Sequence, residues 1–148
     1  MLLTGQYEHV IDAKQRLAIP AEIRSQWRPE TDGAAWFAVP WPNDTIRLYT
    51  ETRFKTLAET RSQTLTPDED EAELQSTLFG LSRRLEMDAA GRIRLPEEML
   101  ADTNLSGEVT LVGAGDRLEV HDRAKWRSKR SDRLRSLPEL IKRNAGRK

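Results

Sequence analysis

The sequence predicts an α+β fold in which one small strand-and-helix unit occurs twice, with helices between and after the copies. Three observations carry this. A twelve-residue segment, D-A-K-Q-R-L-A-I-P-A-E-I at 12–23, returns as D-A-A-G-R-I-R-L-P-E-E-M at 88–99, with five positions identical and three more apolar in both. Around each copy, short apolar–polar alternations bounded by turn residues read as half-buried strands. Between the copies, Phe54, Leu57, Ala58, Arg61 and Leu65, and then Leu74, Leu78, Leu81 and Leu85, follow the three–four spacing of helices.

Each half reads in the same order: strand, turn, strand, helix, strand, turn, strand. In the first, residues 6–11 run into a turn opened by Asp12, whose carboxylate can accept backbone N–H groups within the turn. L-A-I at 17–19 forms the next strand, and Pro20 brings a fixed φ suited to a helix's first turn. The helix runs to about Trp27, and P-W-P-N-D at 40–44 closes a hairpin. The second half repeats this with 85–87, Asp88, I-R-L at 93–95, Pro96, a helix to about Leu100, and G-A-G-D at 113–116. The repeat also extends past the motif: A-A-W-F-A-V at 34–39 matches V-T-L-V at 109–112, and I-R-L-Y at 46–49 matches R-L-E-V at 117–120. The implied units are 1–50, a helical connector over 51–83, 84–126, and a basic extension over 127–148. In the connector, Thr66 reads as a capping hydroxyl and Pro67 as the first helical residue, with acids behind at the positive end of the helix dipole.

The two turns differ at two places, Lys14 against Ala90 and Gln15 against Gly91, and the second bears on the backbone. Gly91 adopts positive φ freely, while Gln15 occupies the equivalent position in the first copy. Either Gln15 is held at positive φ, or the first turn takes another shape and presents Arg16 differently. The retention of Asp12, Arg16 and Pro20 favours the first.

Composition narrows the function. With no cysteine and two histidines, His9 and His121, thiolate chemistry and His-rich zinc sites are excluded. No apolar run reaches the ~20 residues of a membrane span, and M-L-L-T-G-Q-Y-E-H turns polar too early for a signal peptide. The expectation is a soluble cytoplasmic protein without metal, cofactor or small-molecule substrate. G-A-G-D lacks the third glycine and the following helix of a phosphate loop, so it reads as a hairpin turn. No nucleophile motif accompanies either histidine, and the expectation is that the chain is not an enzyme. The net charge of zero divides into opposed blocks: 123–148 carries eleven Lys and Arg against two acids, a net +9, so 1–122 carries −9. The basic end is either a solvated, partly helical tail, a phosphate-contacting element, or a partner for acidic surface on a neighbouring subunit.

The duplicated D-x-x-x-R carries the chemistry. Arg16 and Arg92 sit just past their turns, and two related copies place two arginines on one face, suited to bidentate reading of guanine or to clamping phosphates. Lys14 and Arg94 add charge to the same rims, while Asp12, Asp88, Gly91, Pro20 and Pro96 shape the turns. The same pattern also fits a plain Asp–Arg ion pair across each turn.

These repeated motifs resemble the AbrB-type swapped-hairpin DNA-binding motif. With G-Q-Y-E-H-V-I-D-A-K at the start, the spacing of the copies, the later L-V-G and Trp126, the chain resembles the MraZ family over roughly 1–126. The resemblance implies a duplicated AbrB-like swapped-hairpin β-barrel, a double-split β-α-β unit with peripheral helices. It further implies a nucleoid-associated transcriptional regulator of the division and cell-wall gene cluster that assembles into rings on tandem promoter repeats of double-stranded DNA. The DNA contacts it implies fall at 12–16 and 88–92. Two rivals stand beside it: an AbrB-like antitoxin, and an oligomeric scaffold with nonspecific DNA affinity. The chain departs from the family pattern with Gln15 for a glycine and His121 for a tryptophan, and the basic extension after Trp126 lies outside the motif.

Overall fold

The computed structural model describes residues 1–61 and 64–146. In the first half the chain forms β1 (Gln6–Val10), β2 (Arg16–Ala18), α1 (Ala21–Gln26), a single-turn α2 (Pro29–Asp32), β3 (Trp36–Trp41) and β4 (Thr45–Thr50). The connector supplies α3 (Glu51–Glu59) and α4 (Glu69–Gly80). The second half then forms β5 (Arg83–Leu85), β6 (Arg92–Arg94), α5 (Glu97–Thr103), β7 (Glu108–Gly113) and β8 (Leu118–Asp122), and α6 (Arg123–Asn144) follows.

The halves are interleaved. One sheet has the order β1-β7-β8-β4-β3-β5, and β2 pairs with β6 in a separate ribbon. Exchanging the strands of the two halves reverses this order and leaves it unchanged. The outermost strands therefore sit on the opposite half: Gln6 pairs with Val112, and Leu85 with Trp36. The expected closed barrel is not what forms. Among the described residues the six-stranded sheet stays open, because β2 and β6 are three residues long and each finds its only ladder in the other. The ribbon lies against the sheet's inner face, so Leu17 and Ile93 join Ile46, Leu48, Val109, Leu111 and Val120 in one buried cluster with Trp36.

Local chemistry explains most boundaries. Pro20 and Pro96 are N-cap residues with extended ψ, one position before α1 and α5 and not inside the first turn. α2 arises because the buried Asp32 carboxylate accepts the Arg28 N–H (2.8 Å), closing a turn that the repeat does not predict. The N-D pair at the β3–β4 turn takes positive φ at both Asn43 (69°) and Asp44 (59°), the backbone of a tight hairpin. G-A-G-D joins β7 to β8 as a hairpin, and Gly113 is required there because a Cβ would lie 2.4 Å from the Thr4 nitrogen. The α4 cap is Asp68, not Thr66: its carboxylate accepts the Glu71 N–H at 2.8 Å, and Pro67 lies outside the helix. The helical spacing to Leu85 also stops early. α4 ends at Gly80 and Leu85 lies in a strand, where pairing with β3 overrides the local period.

Candidate nucleic-acid interface

The two Asp turns are built alike. Asp12 Oδ1 accepts the N–H groups of Lys14 (2.9 Å) and Arg16 (2.8 Å), and Oδ2 accepts Arg16 Nε (2.8 Å). Asp88 Oδ1 accepts the N–H groups of Ala90 (2.9 Å) and Arg92 (2.9 Å), and Oδ2 accepts Arg92 Nε (2.9 Å). Backbone bonds from Gln15 and Gly91 to the carbonyls of Asp12 and Asp88, both 2.9 Å, close the turns. Three donors on one carboxylate explain why the first position must be Asp: the side chain is short enough to reach its own turn, and ionised it accepts everywhere. The backbone N–H of Arg16 is the main cause holding the Asp12 carboxyl below the usual carboxylate range, and that of Arg92 acts likewise on Asp88.

Gln15 has φ 66° beside 77° for Gly91, so the first turn keeps the glycine geometry with a side chain in the left-handed region. Each turn also receives a bond from the other half. The Gly91 carbonyl accepts Ile19 N–H and the Gln15 carbonyl accepts Leu95 N–H, both at 2.9 Å. Gly91 carries a further constraint: a Cβ there would lie 2.2 Å from Arg24 Cδ, and Arg24 is held over the turn by its Nε bond to the Ile19 carbonyl (3.0 Å).

The ribbon register decides which side chains share a face. Arg16 lies opposite Arg94, Leu17 opposite Ile93, and Ala18 opposite Arg92. Since strand side chains alternate, Arg16, Ala18, Arg92 and Arg94 form the outer face, while fully buried Leu17 and Ile93 form the inner one. Arg16, Arg92 and Arg94 are thus brought onto one face. Lys14 is exposed on the first turn and adds its charge at the Arg16–Arg94 end, while Arg92 lies opposite Ala18 at the other, beside the turn that Arg24 covers. The Asp–Arg ion pairs are present, and they hold only Nε. Both η nitrogens of Arg16 and Arg92 have no partner among the described residues, so each guanidinium is oriented at one edge and open at the other.

The basic extension is a 22-residue helix, and its first turns are tied to the chain's own acidic body. Arg123 donates to Glu108 (2.7 Å) and the His9 carbonyl (2.8 Å), Lys125 to Asp44 (2.9 Å), and Arg127 to Glu8 (2.8 Å). Trp126 donates to Gln6 Oε1 (2.7 Å) and lies against His121, with Arg133 over its ring. No local pattern marks Arg123 as an anchor, because Glu108 lies fifteen residues before it and the His9 carbonyl comes from the opposite end of the chain. Beneath it, Glu119 on β8 accepts from His121 Nε2 (2.9 Å) and Arg117 Nε (3.0 Å), and the His121 bond is the main cause taking its carboxyl down to about 2.

Comparison with known proteins assigns the chain to a family. A family profile described as "MraZ protein, putative antitoxin-like" matches residues 78–140. The transcriptional regulator MraZ of Cytophaga hutchinsonii is 30% identical over 79% of this chain and 77% of its own length. This chain belongs to the MraZ family. The MraZ regulator of Heliobacterium modesticaldum is likewise 30% identical, over 84% of each chain, and that of Coxiella burnetii is 27% identical over 84% of this chain and 82% of its own. The MraZ match also corrects the expected limit of the resemblance. It runs through α6 to residue 140, so the basic helix past Trp126 lies within the family region.

Proposed function

We propose that the chain is a sequence-specific DNA-binding transcriptional regulator that reads double-stranded DNA with the outer face of the β2–β6 ribbon. The observation that carries this is the register putting Arg16, Arg92 and Arg94 on one exposed face with Lys14 beside them. Its relatives are named transcriptional regulators, which supports the wider class. A two-stranded ribbon fits the major groove, where an arginine reads guanine O6 and N7 in a bidentate manner. Asp12 and Asp88 hold Nε of their arginines, so the η nitrogens are already aimed outward and little side-chain entropy is lost on binding. Arg94 and Lys14 contact phosphates and fix the position of the ribbon.

One ribbon is a small reading surface. Self-association into a ring on tandem promoter repeats supplies the affinity that a single site lacks, by raising effective concentration. The target we propose is the division and cell-wall gene cluster, and the place of action is the cytoplasm, on the nucleoid. Footprinting on DNA upstream of the chain's own gene tests this directly: protection should appear as short, evenly spaced repeats. Arg16→Ala and Arg92→Ala should each weaken that binding by ~1–3 kcal/mol at fixed salt. Thermal stability should change little, since each ion pair is partly exposed and worth ~0–1 kcal/mol. Unchanged affinity in both variants would remove the reading.

A further inference from the structure

We infer that α6 is a docking helix whose apolar stripe seats in a groove between α3 and α4 of a second copy of this chain. The inference rests on the self-association proposed above and assigns its surfaces. Along α6, Trp126, Leu134, Leu137 and Ile141 recur at helical spacing on one side. At Trp126 that side rests on the chain's own sheet, through Gln6 and His121. From Arg127 onward every described residue is exposed, so the same side continues past the body with nothing under it. Leu134 is 72% exposed, Leu137 47% and Ile141 62%, on a helix that is otherwise strongly basic.

The complementary surface lies at the other end of the sheet's outer face. Val39, Tyr49, Phe54, Leu57, Leu78 and Phe79 line an almost wholly apolar groove of about 240 Å³ that no α6 residue enters. Its floor is rigid, with Phe54 stacked on Phe37 at 4.4 Å and met edge-on by Phe79 at 6.2 Å. Beside it, Asp68, Glu69, Asp70, Glu71 and Glu73 crowd the start of α4, and among the described residues Arg61 pairs with Glu71 alone. Of the basic side chains on α6, Lys129, Arg130, Lys142 and Arg143 have no ion pair among the described residues. A helix with an apolar stripe and surplus positive charge, and a groove with an apolar floor and a surplus negative rim, match in both respects. The wider charges have the same signs, +9 over 123–148 and −9 over 1–122, with Arg123, Lys125 and Arg127 already paired within the chain. The two surfaces differ, so the contact is head-to-tail, the kind that builds rings or filaments and not closed pairs by itself.

Two complementary variants test this by light scattering. Leu134→Glu/Leu137→Glu charges the exposed stripe, and Ala58→Arg fills the groove. The unsubstituted chain should run at a multiple of 17.0 kDa, and each variant as a monomer with unchanged circular dichroism. Mixed in equal amounts, the two variants should form a species of about twice the chain mass and stop there, because each keeps the surface the other lacks. Should Ala58→Arg disturb folding, Asp70→Lys/Glu73→Lys on exposed α4 positions replaces it and should likewise lower the assembled mass. Parent mass in all variants, or no pairing in the mixture, overturns the interface. If the unsubstituted chain is itself a monomer, the self-association reading falls with it; if it assembles and the variants do too, only this interface falls. The variants keep the ribbon arginines, so affinity for an isolated site should be unchanged while the gain on tandem sites, ~10²-fold or more, disappears.

Discussion

Replacing Gln15 by glycine should stabilise the protein, although glycine is ordinarily the costlier residue to order. Gln15 is held at φ 66° by backbone bonds on both sides: its N–H to the Asp12 carbonyl and its carbonyl to the Leu95 N–H, each 2.9 Å. A residue with a Cβ loses roughly 1–2 kcal/mol in that region. Glycine there costs about 0.5–1 kcal/mol through the greater freedom of its unfolded chain. The difference favours Gln15→Gly by roughly 0.5–1 kcal/mol, a rise in Tm of about 1–4 °C for a chain this size. Urea unfolding should show the midpoint moving up with an unchanged slope. The reverse substitution at the partner turn is the control. Gly91→Gln meets the same strain and must also displace Arg24, whose Cδ would lie 2.2 Å from the new Cβ. It gives up the Arg24–Ile19 bond as well (3.0 Å). A loss of about 2–3 kcal/mol is expected. A lowered midpoint for Gln15→Gly, or equal costs for the two substitutions, would refute the reasoning.

Asp12→Ala should weaken DNA binding although it removes a negative charge, because Arg16 loses the bond that orients it; the turn should also lose stability. Titration of affinity at fixed salt separates this from simple electrostatics, which expects tighter binding. Glu119 gives a pH signature. Its folded carboxyl is held down to about 2 from the ordinary 4.5, so its contribution is complete above about pH 4.5 and is lost as pH falls toward 2. Its side chain is mostly buried, and that contribution is at most about 3 kcal/mol. Glu119→Gln should therefore flatten the loss of stability between pH 5 and 2, as followed by thermal melts.

What the sequence disclosed and what it withheld divide along contact range. The Asp turns were legible because every bond made by their Asp carboxylates joins residues within four positions, and the same five-residue pattern occurs twice. The left-handed Gln15 followed from the same local logic. Strand partners were not legible, since a hairpin that pairs within its own half and one that pairs with the other half have the same alternation. Arg94 opposite Arg16 is a matter of register between strands 76 residues apart in the repeat, and only the assembled ribbon fixes it. The open sheet in place of a barrel has the same origin: the lengths of β2 and β6 are set by where the turns and prolines stop them, not by the apolar pattern. At the start of α4 the pattern pointed to Thr66 as the cap, whereas the cap is Asp68, two residues further on, whose carboxylate reaches the Glu71 N–H. Leu85 continued a helical period by coincidence into a strand.

The interleaved strands also constrain how the chain is made. β1 finds its partner only when Val109 to Val112 exist, about a hundred residues after it leaves the ribosome. Until then β1 has no ladder, and its backbone N–H and C=O groups face water. Such long-range pairing folds slowly and leaves sheet edges open to other nascent chains. A prematurely terminated product ending before β7 is therefore not half a regulator that competes for the same sites. It is a chain that lacks two of the six strands of the sheet, and with them the Val109, Leu111, Leu118 and Val120 part of the core.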